Sequence, residues 1–360
     1  MSRIILGLNG LSALALLMSY SAPYIDPHFF WPIAFIGIAY PILLLVNLLF
    51  VVFWLFRKPR FAFIAFVPIV LGWGAFTKNM GFAKETLMEK PDDTSTFRLM
   101  SYNVHMFRSF DETKKVDNKR KILEIFTEVS PDIICIQEFY TRKKGKDDIR
   151  QALIKELGYS HHYFQPVAHN DYDAYGIAIF SKYPIKKTGT LPINVNKKIV
   201  NRVLYADIQK NGKMLRVYNV HLQSIGFKER DYEFIKNIST NMDEELASTK
   251  RIGGRLKNAF IKRSEQVNLL YEHIRKCEIP YVVAGDFNDT PLSFSVNKIA
   301  GEMQNTFVRK GRGWGVTYNG DFPNFQIDYI MASKDFEVTG YKIIHKKLSD
   351  HFPIWSDLKL

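Results

Sequence analysis

The chain has 360 residues, of which 47% are hydrophobic and 24% charged, and a formal net charge of +13. This composition predicts a folded protein and argues against a minimal module or a disordered chain. The 21 glycines and 15 prolines follow no repeating period, which argues against a collagen-like or solenoid architecture. Cys135 and Cys277 lie far apart in the sequence, so we exclude a disulfide framework and interpret both as small apolar core residues.

Three stretches near the amino terminus contain no charged residue. They cover 4–25, 29–56 and 61–77. A helix needs about 20 apolar residues, within a range of about 17 to 25, to cross the hydrocarbon core of a bilayer. We therefore predict that 1–77 is a membrane anchor with about three transmembrane helices at roughly these positions. The third stretch is short, and a buried hairpin is the alternative for it.

The charges between these stretches predict the orientation of the anchor. Arg57, Lys58 and Arg60 make one connection basic, whereas the connection 21–28 carries only Asp26. The positive-inside rule places the basic connection in the cytoplasm. The prediction is an integral protein of the cytoplasmic (inner) membrane whose remaining chain lies on the extracytoplasmic side. A cleaved signal peptide is an alternative for the first stretch, and it leaves this orientation unchanged.

The rest of the chain is predicted to contain a linker, 78–96, and a soluble domain, 97–360. Short β-branched and aromatic runs in this domain are typical of strands: FRLMSYNV, DIICIQE, YGIAIFS, VLYADIQ, MLRVYNVHL, PYVVAGD and QIDYIMA. Amphipathic stretches at about 116–129, 147–157 and 262–276 predict helices, and the Asn-Gly of QKNGK predicts a hairpin turn. Several runs are apolar on both faces, which indicates sheets packed on both sides.

Polar side chains stand at the carboxyl ends of several of these runs. Glu138 ends DIICIQE, His221 ends MLRVYNVHL, and Asp286 and Asn288 follow PYVVAG, while Asn103 lies in FRLMSYNV. Singly, each is most simply a loop cap or a polar group with a satisfied hydrogen bond. Together, carboxylates and an amide are hard oxygen ligands suited to Mg²⁺ or Mn²⁺.

Two further segments add an imidazole to this set. Asp328 lies in QIDYIMAS, and Asp350 and His351 are adjacent in SDHFPIW. An Asp beside a His orients the imidazole and stabilises its charged form, as a general base or a phosphate-binding cation requires.

The blocks SYNVHMF, IICIQE, YGIAIFSKYPI, VYNVHLQS, VVAGDFNDTP, QIDYIMAS and SDHFPIW, in this order, resemble the signatures of the endonuclease/exonuclease/phosphatase superfamily. That superfamily includes pancreatic-type deoxyribonuclease, abasic-site endonucleases, inositol polyphosphate 5-phosphatases and neutral sphingomyelinases. The resemblance covers 97–360. It implies an α/β fold, a four-layer α/β sandwich of two packed mixed sheets flanked by helices, here preceded by transmembrane helices.

The resemblance also implies roles for the matching residues. Glu138 resembles the principal metal ligand, assisted by Asn103 and Asp350. Asp286 and Asn288 resemble the pair that orients or deprotonates the attacking water and holds the phosphate.

The remaining roles concern imidazoles. His351, supported by Asp328, resembles the group that contacts the scissile phosphate, and His221 a second phosphate contact that protonates the leaving oxygen. The sequence departs from the superfamily pattern at Gln326, where many relatives have a basic residue.

The substrate is less constrained. Residues 1–90 hold seven Lys or Arg and three Asp or Glu, which leaves 42 and 33 of the totals of 49 and 36, a net charge of +9, for the rest. A basic surface favours nucleic acid or lipid headgroups as partners, although it is also typical of a merely soluble surface. No obligate protein partner is evident.

Two further sets of residues are candidates for substrate contact. The stretch 224–264 is interpreted either as a lid made mobile by Gly253 and Gly254 or as helices that extend the scaffold. The aromatic residues Trp314, Tyr318 and Phe322 either stack a base or sugar or belong to the core.

Three hypotheses follow. The first is a membrane-anchored phosphodiesterase of the endonuclease or exonuclease type. The second is a phosphohydrolase of phospholipids or inositol phosphates, and the third is a non-catalytic binding module.

Overall fold

The computed structural model describes residues 2–89, 93–108, 118–145, 148–191, 203–227, 231, 234, 242–320 and 324–360. The chain divides into two compact units. One, here called the helical unit, contains Met1–Asn79, Ser224–Val267 and Asp289–Ile299. The other, here called the sandwich unit, contains Met80–Gln223, Asn268–Asn288 and Ala300–Leu360.

The amino-terminal part of the helical unit consists of short and long apolar helices. Their bounds are α1 Ser2–Ser19, α2 Pro27–Phe30, α3 Pro32–Ile38, α4 Tyr40–Arg57, a 3₁₀ turn Pro59–Phe61, α5 Ala62–Leu71 and α6 Trp73–Asn79. Proline occupies the first turn of α2, α3 and α4, where its missing N–H is not needed and its fixed φ favours a helix start. The predicted span 29–56 is therefore divided into separate helices.

Polar groups hold α1 against α4. The Asn47 side chain donates to the backbone oxygen of Ser12 at 3.1 Å and to its hydroxyl at 2.9 Å. The Tyr20 hydroxyl likewise donates to the Pro68 carbonyl of α5 at 3.0 Å. Interhelical hydrogen bonds of this kind hold helices together where apolar packing alone does not select a partner.

α4 has the length and composition of a membrane span. It has 18 residues and a mean hydropathy of 2.0. Among the described residues, no other single helix is both long enough and apolar enough to cross a membrane. The helices Pro59–Leu71 and Trp73–Asn79 reach the length and hydropathy of a span only when they are taken together, and a bend of 60° separates them. In α1, the segment Arg3–Ser19 is a shorter apolar helix.

The sandwich unit contains most of the strands. Two six-stranded mixed sheets and a two-stranded sheet are present. The strands are β1 Met80–Phe82, β2 Thr96–Asn103, β3 Ile133–Arg142, β4 His161–His169, β5 Asp173–Ser181, β6 Ile185–Leu191, β7 Val203–Lys210, β8 Lys213–His221, β9 Tyr281–Asp286, β10 Gln304–Asn305, β11 Arg312–Trp314, β12 Asp328–Ala332, β13 Glu337–Ile343 and β14 Ile354–Lys359.

The sheet orders are β13-β14-β2-β3-β5-β4, β10-β12-β9-β8-β7-β6 and β1-β11. All seven predicted strands are present, and the Asn-Gly turn joins β7 to β8 with positive φ at both residues. The predicted linker 78–96 contributes β1, which pairs with β11, and Thr86 accepts a hydrogen bond from the amide of Tyr341.

Five helices and a 3₁₀ turn are described among and between these strands along the chain. They are α7 Asn118–Val129, α8 Ile149–Lys155, α9 Met242–Ile274, α10 Phe294–Ala300 and α11 Thr306–Lys310, with a 3₁₀ turn His105–Phe107. The three predicted helices correspond to α7, α8 and the end of α9. Gly253 and Gly254, the mobile point of 224–264 in the lid alternative, lie inside α9. Part of that stretch, 228–230, 232–233 and 235–241, lies outside the described residues.

Two apolar layers make the core of the sandwich unit. One lies between the sheets and includes Leu99 and Cys135 of the first sheet with Val217 and Ala284 of the second. The other joins α7 to the outer face of the first sheet, through side chains such as Phe126. Cys135 is a core residue as predicted, whereas Cys277 is only partly buried; both are free thiols.

A buried ion pair fastens β2 to β14. Arg98 Nε and Asp357 Oδ1 are 2.7 Å apart, and a second Arg98 nitrogen donates to Asp357 Oδ2 at 2.8 Å. The guanidinium lies 3.8 Å from the ring centroid of Trp355. Arg98 is 0% and Asp357 2% exposed, so neither charge has water as an alternative partner.

We expect Asp357→Asn to lower the free energy of unfolding by about 3–5 kcal/mol, because it leaves a buried guanidinium without its counter-charge. The exposed Asp171→Asn is the matched control, with an expected change within about 0.5 kcal/mol. Denaturant unfolding of the two variants measures the difference, and equal midpoints would contradict the role given to the pair.

Candidate active site

The chemistry-bearing side chains collect where parallel strands end. β2 and β3 are parallel, as are β8 and β9. Asn103 is the last residue of β2, and His221 and Asp286 end β8 and β9 in register with each other. The carboxyl ends of parallel strands meet at one edge of a sheet. Glu138 lies in β3 at a register shift between Ile136 and Phe139, with φ of 52°.

Two buried amide contacts join the sheets close to this edge. Asn103 Nδ2 donates to Asp286 Oδ2 at 3.1 Å, and Gln137 Nε2 donates to Asn219 Oδ1 at 2.7 Å. Asn219 Nδ2 in turn donates to the carbonyl of Ala178 at 2.7 Å. Because Gln137 and Asn219 are both fully buried, each needs these partners.

Gln137 and Asn219 were not among the residues predicted for the site. The available signal was a polar residue inside the apolar runs IICIQE and VYNVHL. That signal does not say which residue on the other sheet is the partner.

Asp286 is the centre of the site. Its carboxylate accepts from the Asn288 amide at 2.8 Å and from the Asn288 side chain at 3.0 Å. The Nε2 atoms of His221 and His351 lie 3.6 Å and 3.8 Å from Asp286 Oδ2. Burial raises the pKa of Asp286 to about 6, with nearby Asp328 acting in the same direction and the two imidazoles against it.

The Asp328 carboxylate contacts the Nδ1 side of the His351 imidazole. His351 Nδ1 and Asp328 Oδ2 are 2.9 Å apart, and both residues are buried. Asp328 is held by its strand pairing opposite Asp286 and by its own amide, which donates to the Thr317 hydroxyl at 3.0 Å. Burial opposes charge on His351, but Asp328, Asp286 and Asp350 together raise its pKa well above the usual value.

Glu138 and Asp350 lie on either side of an imidazole that the sequence analysis did not select. His105 Nδ1 is 3.4 Å from Asp350 Oδ1 and 3.8 Å from Glu138 Oε2. A hydrogen bond with Asp350 raises the pKa of His105. Burial alone would raise the pKa of Asp350, but His351 and His105 lower it to about 2. Asp350 is therefore ionised at neutral pH.

His105 is in an uncommon backbone conformation. His105, Met106 and Phe107 have φ of 45°, 54° and 58°, a left-handed turn that residues with a side chain seldom adopt. The Asn103 side-chain oxygen accepts the amide of His105 at 3.1 Å. The position of this imidazole could not be read from NVHMF because it depends on that turn.

The donor set fits a divalent cation. Glu138 and Asp350 offer carboxylate oxygens with side chains 22% and 19% exposed, and Asn103 adds an amide oxygen, the hard ligands that Mg²⁺ and Mn²⁺ prefer. Asp286, Asp328 and His351 form a second, buried group whose ligand atoms all lie within 4.8 Å of one another. Asp328 Oδ1 has no hydrogen-bond partner among the described residues.

The structure brings the eight predicted site residues together at one end of the sandwich unit. Of the three predicted stacking residues, the Tyr318 ring lies 5.4 Å from the His351 ring, edge to face, and Trp314 is half exposed on β11. Phe322 lies outside the described residues. Gln326 is 4% exposed, and neither polar atom of its side chain has a partner in the described chain.

Comparison with known proteins agrees with this geometry. Residues 100–351 match the Endonuclease/Exonuclease/phosphatase family. The chain belongs to this family. Residues 2–79 match a second family, described as a domain of unknown function. No curated protein matches the chain.

Solved structures share the fold of this family at low sequence identity. An endonuclease/exonuclease/phosphatase from Beutenbergia cavernae is 18% identical, with 74% of this chain and 72% of that chain covered and a TM-score of 0.54. A mannosyl-6-phosphatase from Bacteroides thetaiotaomicron is 15% identical, with 73% and 100% covered and a TM-score of 0.53. TDP2 from D. rerio, complexed with a single-strand DNA product, is 14% identical, with 74% and 100% covered and a TM-score of 0.51.

These matches confirm the predicted α/β sandwich of mixed sheets with flanking helices. Family membership also confirms the predicted enzyme class, because the family consists of metal-dependent hydrolases of phosphoric ester bonds.

We expect Asp328→Asn to lower the pKa of His351, because it removes the nearest negative charge while preserving the shape of the side chain. Titration of the His351 ring signal by NMR measures this shift. Asp335→Asn, a change in a loop of the same unit, should leave the titration unchanged. An unaltered His351 pKa in Asp328→Asn would show that the 2.9 Å contact does not set the charge of this imidazole.

Proposed function

We propose that the chain is a membrane-anchored, divalent-metal-dependent phosphodiesterase of the endonuclease or exonuclease type. The observation that carries the proposal is the buried Asp286 carboxylate, held by two asparagines and faced by two imidazoles. A carboxylate with a raised pKa beside imidazole donors is the arrangement that hydrolysis of an anionic ester needs.

Glu138, Asn103 and Asp350 would hold Mg²⁺ or Mn²⁺. When bound, such an ion neutralises charge on phosphate oxygens as a Lewis acid. Asn103 has a double role in this proposal. Its oxygen, which also accepts the His105 amide, would be a metal ligand, and its Nδ2 donates to Asp286.

Asp286 is the proposed base, oriented by Asn288. Water attacks phosphorus, its proton passes to the Asp286 carboxylate, and the bond from phosphorus to the leaving oxygen breaks. His221, whose Nε2 faces the same carboxylate oxygen, donates a proton to the leaving oxygen. His351, kept cationic by Asp328, binds the phosphate oxygens, so no covalent nucleophile is required.

Hydrolysis of a phospholipid headgroup or an inositol phosphate is the second candidate. It is favoured by the apolar helices of the same chain, which would place the enzyme at a lipid surface. The net charge of +9 beyond residue 90 favours nucleic acid equally, because both substrates are anionic. Retention of all eight site residues argues against a non-catalytic binding module.

Membrane anchoring is supported by the surface of the helical unit. Only 22% of α4 is buried, whereas the core helix of a soluble protein is mostly buried. Leu49, Leu55 and Phe56 are among its exposed side chains. We propose that 1–77 anchors the protein in the cytoplasmic membrane, with the basic connection Arg57–Arg60 in the cytoplasm and the catalytic domain, 97–360, on the other side.

We expect the full chain to hydrolyse at least one ester in a panel of DNA, RNA, sphingomyelin and inositol phosphates when Mg²⁺ or Mn²⁺ is added. Glu138→Gln should lower the rate by about a hundredfold or more, because it removes the charge of a metal ligand. The exposed Glu156→Gln should be as active as the unaltered chain. Product formation with each substrate measures both effects.

The same panel decides between the candidates. Cleavage confined to nucleic acid supports the first, and cleavage confined to lipid or inositol phosphates supports the second. Absence of hydrolysis of every ester with either metal would overturn the proposed function.

We expect an alkaline phosphatase fused after Leu360 to be active, because the predicted orientation exports the carboxyl terminus. A green fluorescent protein fused at the same point should be dark when the chain is exported by the general secretory route. The reverse pattern would place the catalytic domain in the cytoplasm.

A further inference from the structure

The connection between α1 and α4 is bound to α9 within the helical unit. Ser264 of α9 donates to the Asp26 carboxylate. The rings of Phe35 and Phe260 pack edge to face at 5.2 Å, and the Lys257 ammonium lies 4.8 Å from the ring centroid of Trp31.

These contacts limit how deeply α2 and α3 can enter the hydrocarbon core of a bilayer. α9 is charged, and charged side chains are costly in the hydrocarbon core. The helices bound to it therefore belong to the surface of a bilayer rather than its centre. α4, whose 18 residues span about 27 Å at about 1.5 Å per residue, is long enough to cross without them.

The connection itself carries exposed aromatic side chains. Tyr24 is 79% and Phe29 83% exposed, and Phe30 and Trp31 are also exposed. Aromatic rings with polar neighbours are typical of the zone where lipid headgroups meet hydrocarbon.

The middle of α9 carries an excess of positive charge beside these rings. Residues 247–264 contain six Lys or Arg and no Asp or Glu. Arg251 and Arg255 share Asp231, at 2.7 Å and 3.2 Å, and Arg263 pairs with Asp289 at 3.0 Å.

Three lysines of this stretch are left without a carboxylate partner in the described part of the chain: Lys250, Lys257 and Lys262. Lys250 is exposed, and the other two are partly exposed. The arginines are thus paired with carboxylates within the fold, whereas the three lysines keep an uncompensated charge, which in Lys257 lies beside the Trp31 ring.

We propose that residues 24–31 and 247–264 form one lipid-binding surface that recognises the headgroups of anionic phospholipids. The inference rests on the proposed membrane anchoring and adds a partner to it. The aromatic rings enter the headgroup zone, and the lysines bind lipid phosphates with a charge complementarity that zwitterionic lipid lacks. A lipid surface is favoured over nucleic acid because the lysines adjoin exposed aromatic and apolar side chains of the same unit.

The experiment is amide hydrogen exchange on the full chain in vesicles of phosphatidylcholine alone or with phosphatidylglycerol. Peptides covering 247–264 should exchange severalfold more slowly in the vesicles that contain phosphatidylglycerol, and high salt should remove the difference. The variant Lys250→Gln/Lys257→Gln/Lys262→Gln should lose the difference. The matched variant Lys155→Gln/Lys186→Gln/Lys334→Gln, with three exposed lysines of the sandwich unit, should keep it.

Two controls separate this inference from the proposals on which it rests. Retention of the chain in the vesicles after an alkaline wash tests anchoring, and hydrolysis in the same vesicles tests the enzyme. If the chain is retained but 247–264 exchanges equally in both vesicles, the lipid-binding surface is wrong. Protection of 247–264 by an added oligonucleotide, with none from phosphatidylglycerol, would also overturn it.

Discussion

The hydrogen bond from Asn103 to Asp286 is the contact on which the site depends. It joins the carboxyl end of β2 in one sheet to the carboxyl end of β9 in the other, and it does so where water is excluded. A short distance away, the bond between Gln137 and Asn219 sets the same two sheets in register. Packed apolar faces can slide against each other at small cost, whereas a buried amide that loses its partner destabilises the protein strongly. These amides therefore define how the strand ends meet.

The electrostatics of the site follow from that arrangement. Two carboxyl groups of the site acquire opposite properties, because burial raises the pKa of Asp286 to about 6 while His351 and His105 lower that of Asp350 to about 2. One group is thereby suited to exchange a proton near neutral pH and the other to remain an anionic ligand. Separation of pKa values between neighbouring groups is how acid and base roles are divided in enzymes.

In the helical unit, the apolar pattern of the sequence predicts helices but not the position of each helix. Uncharged stretches correctly indicate apolar helices. A stretch of 28 uncharged residues does not indicate where one helix ends and the next begins. Asp26 accepts the amide of His28 and starts α2, and Pro32 and Pro41 start new helices. Packing against α9 then gives α2 and α3 a polar neighbour. The predicted single span over 29–56 is thus divided among α2, α3 and α4.

The sequence by itself determined the family, the strands at whose ends polar residues stand, and the eight polar residues that the structure brings together. It could do so because residue types at strand ends are local information: a Glu after IICIQ or an Asp after VVAG is visible without knowing its neighbours. Only the tertiary structure decided which groups touch. His105 reaches Glu138 and Asp350 through a left-handed turn, Gln137 meets Asn219 across the sheets, and α9 meets the connection between α1 and α4. Each of these contacts joins residues distant along the chain or depends on a backbone conformation that composition does not specify.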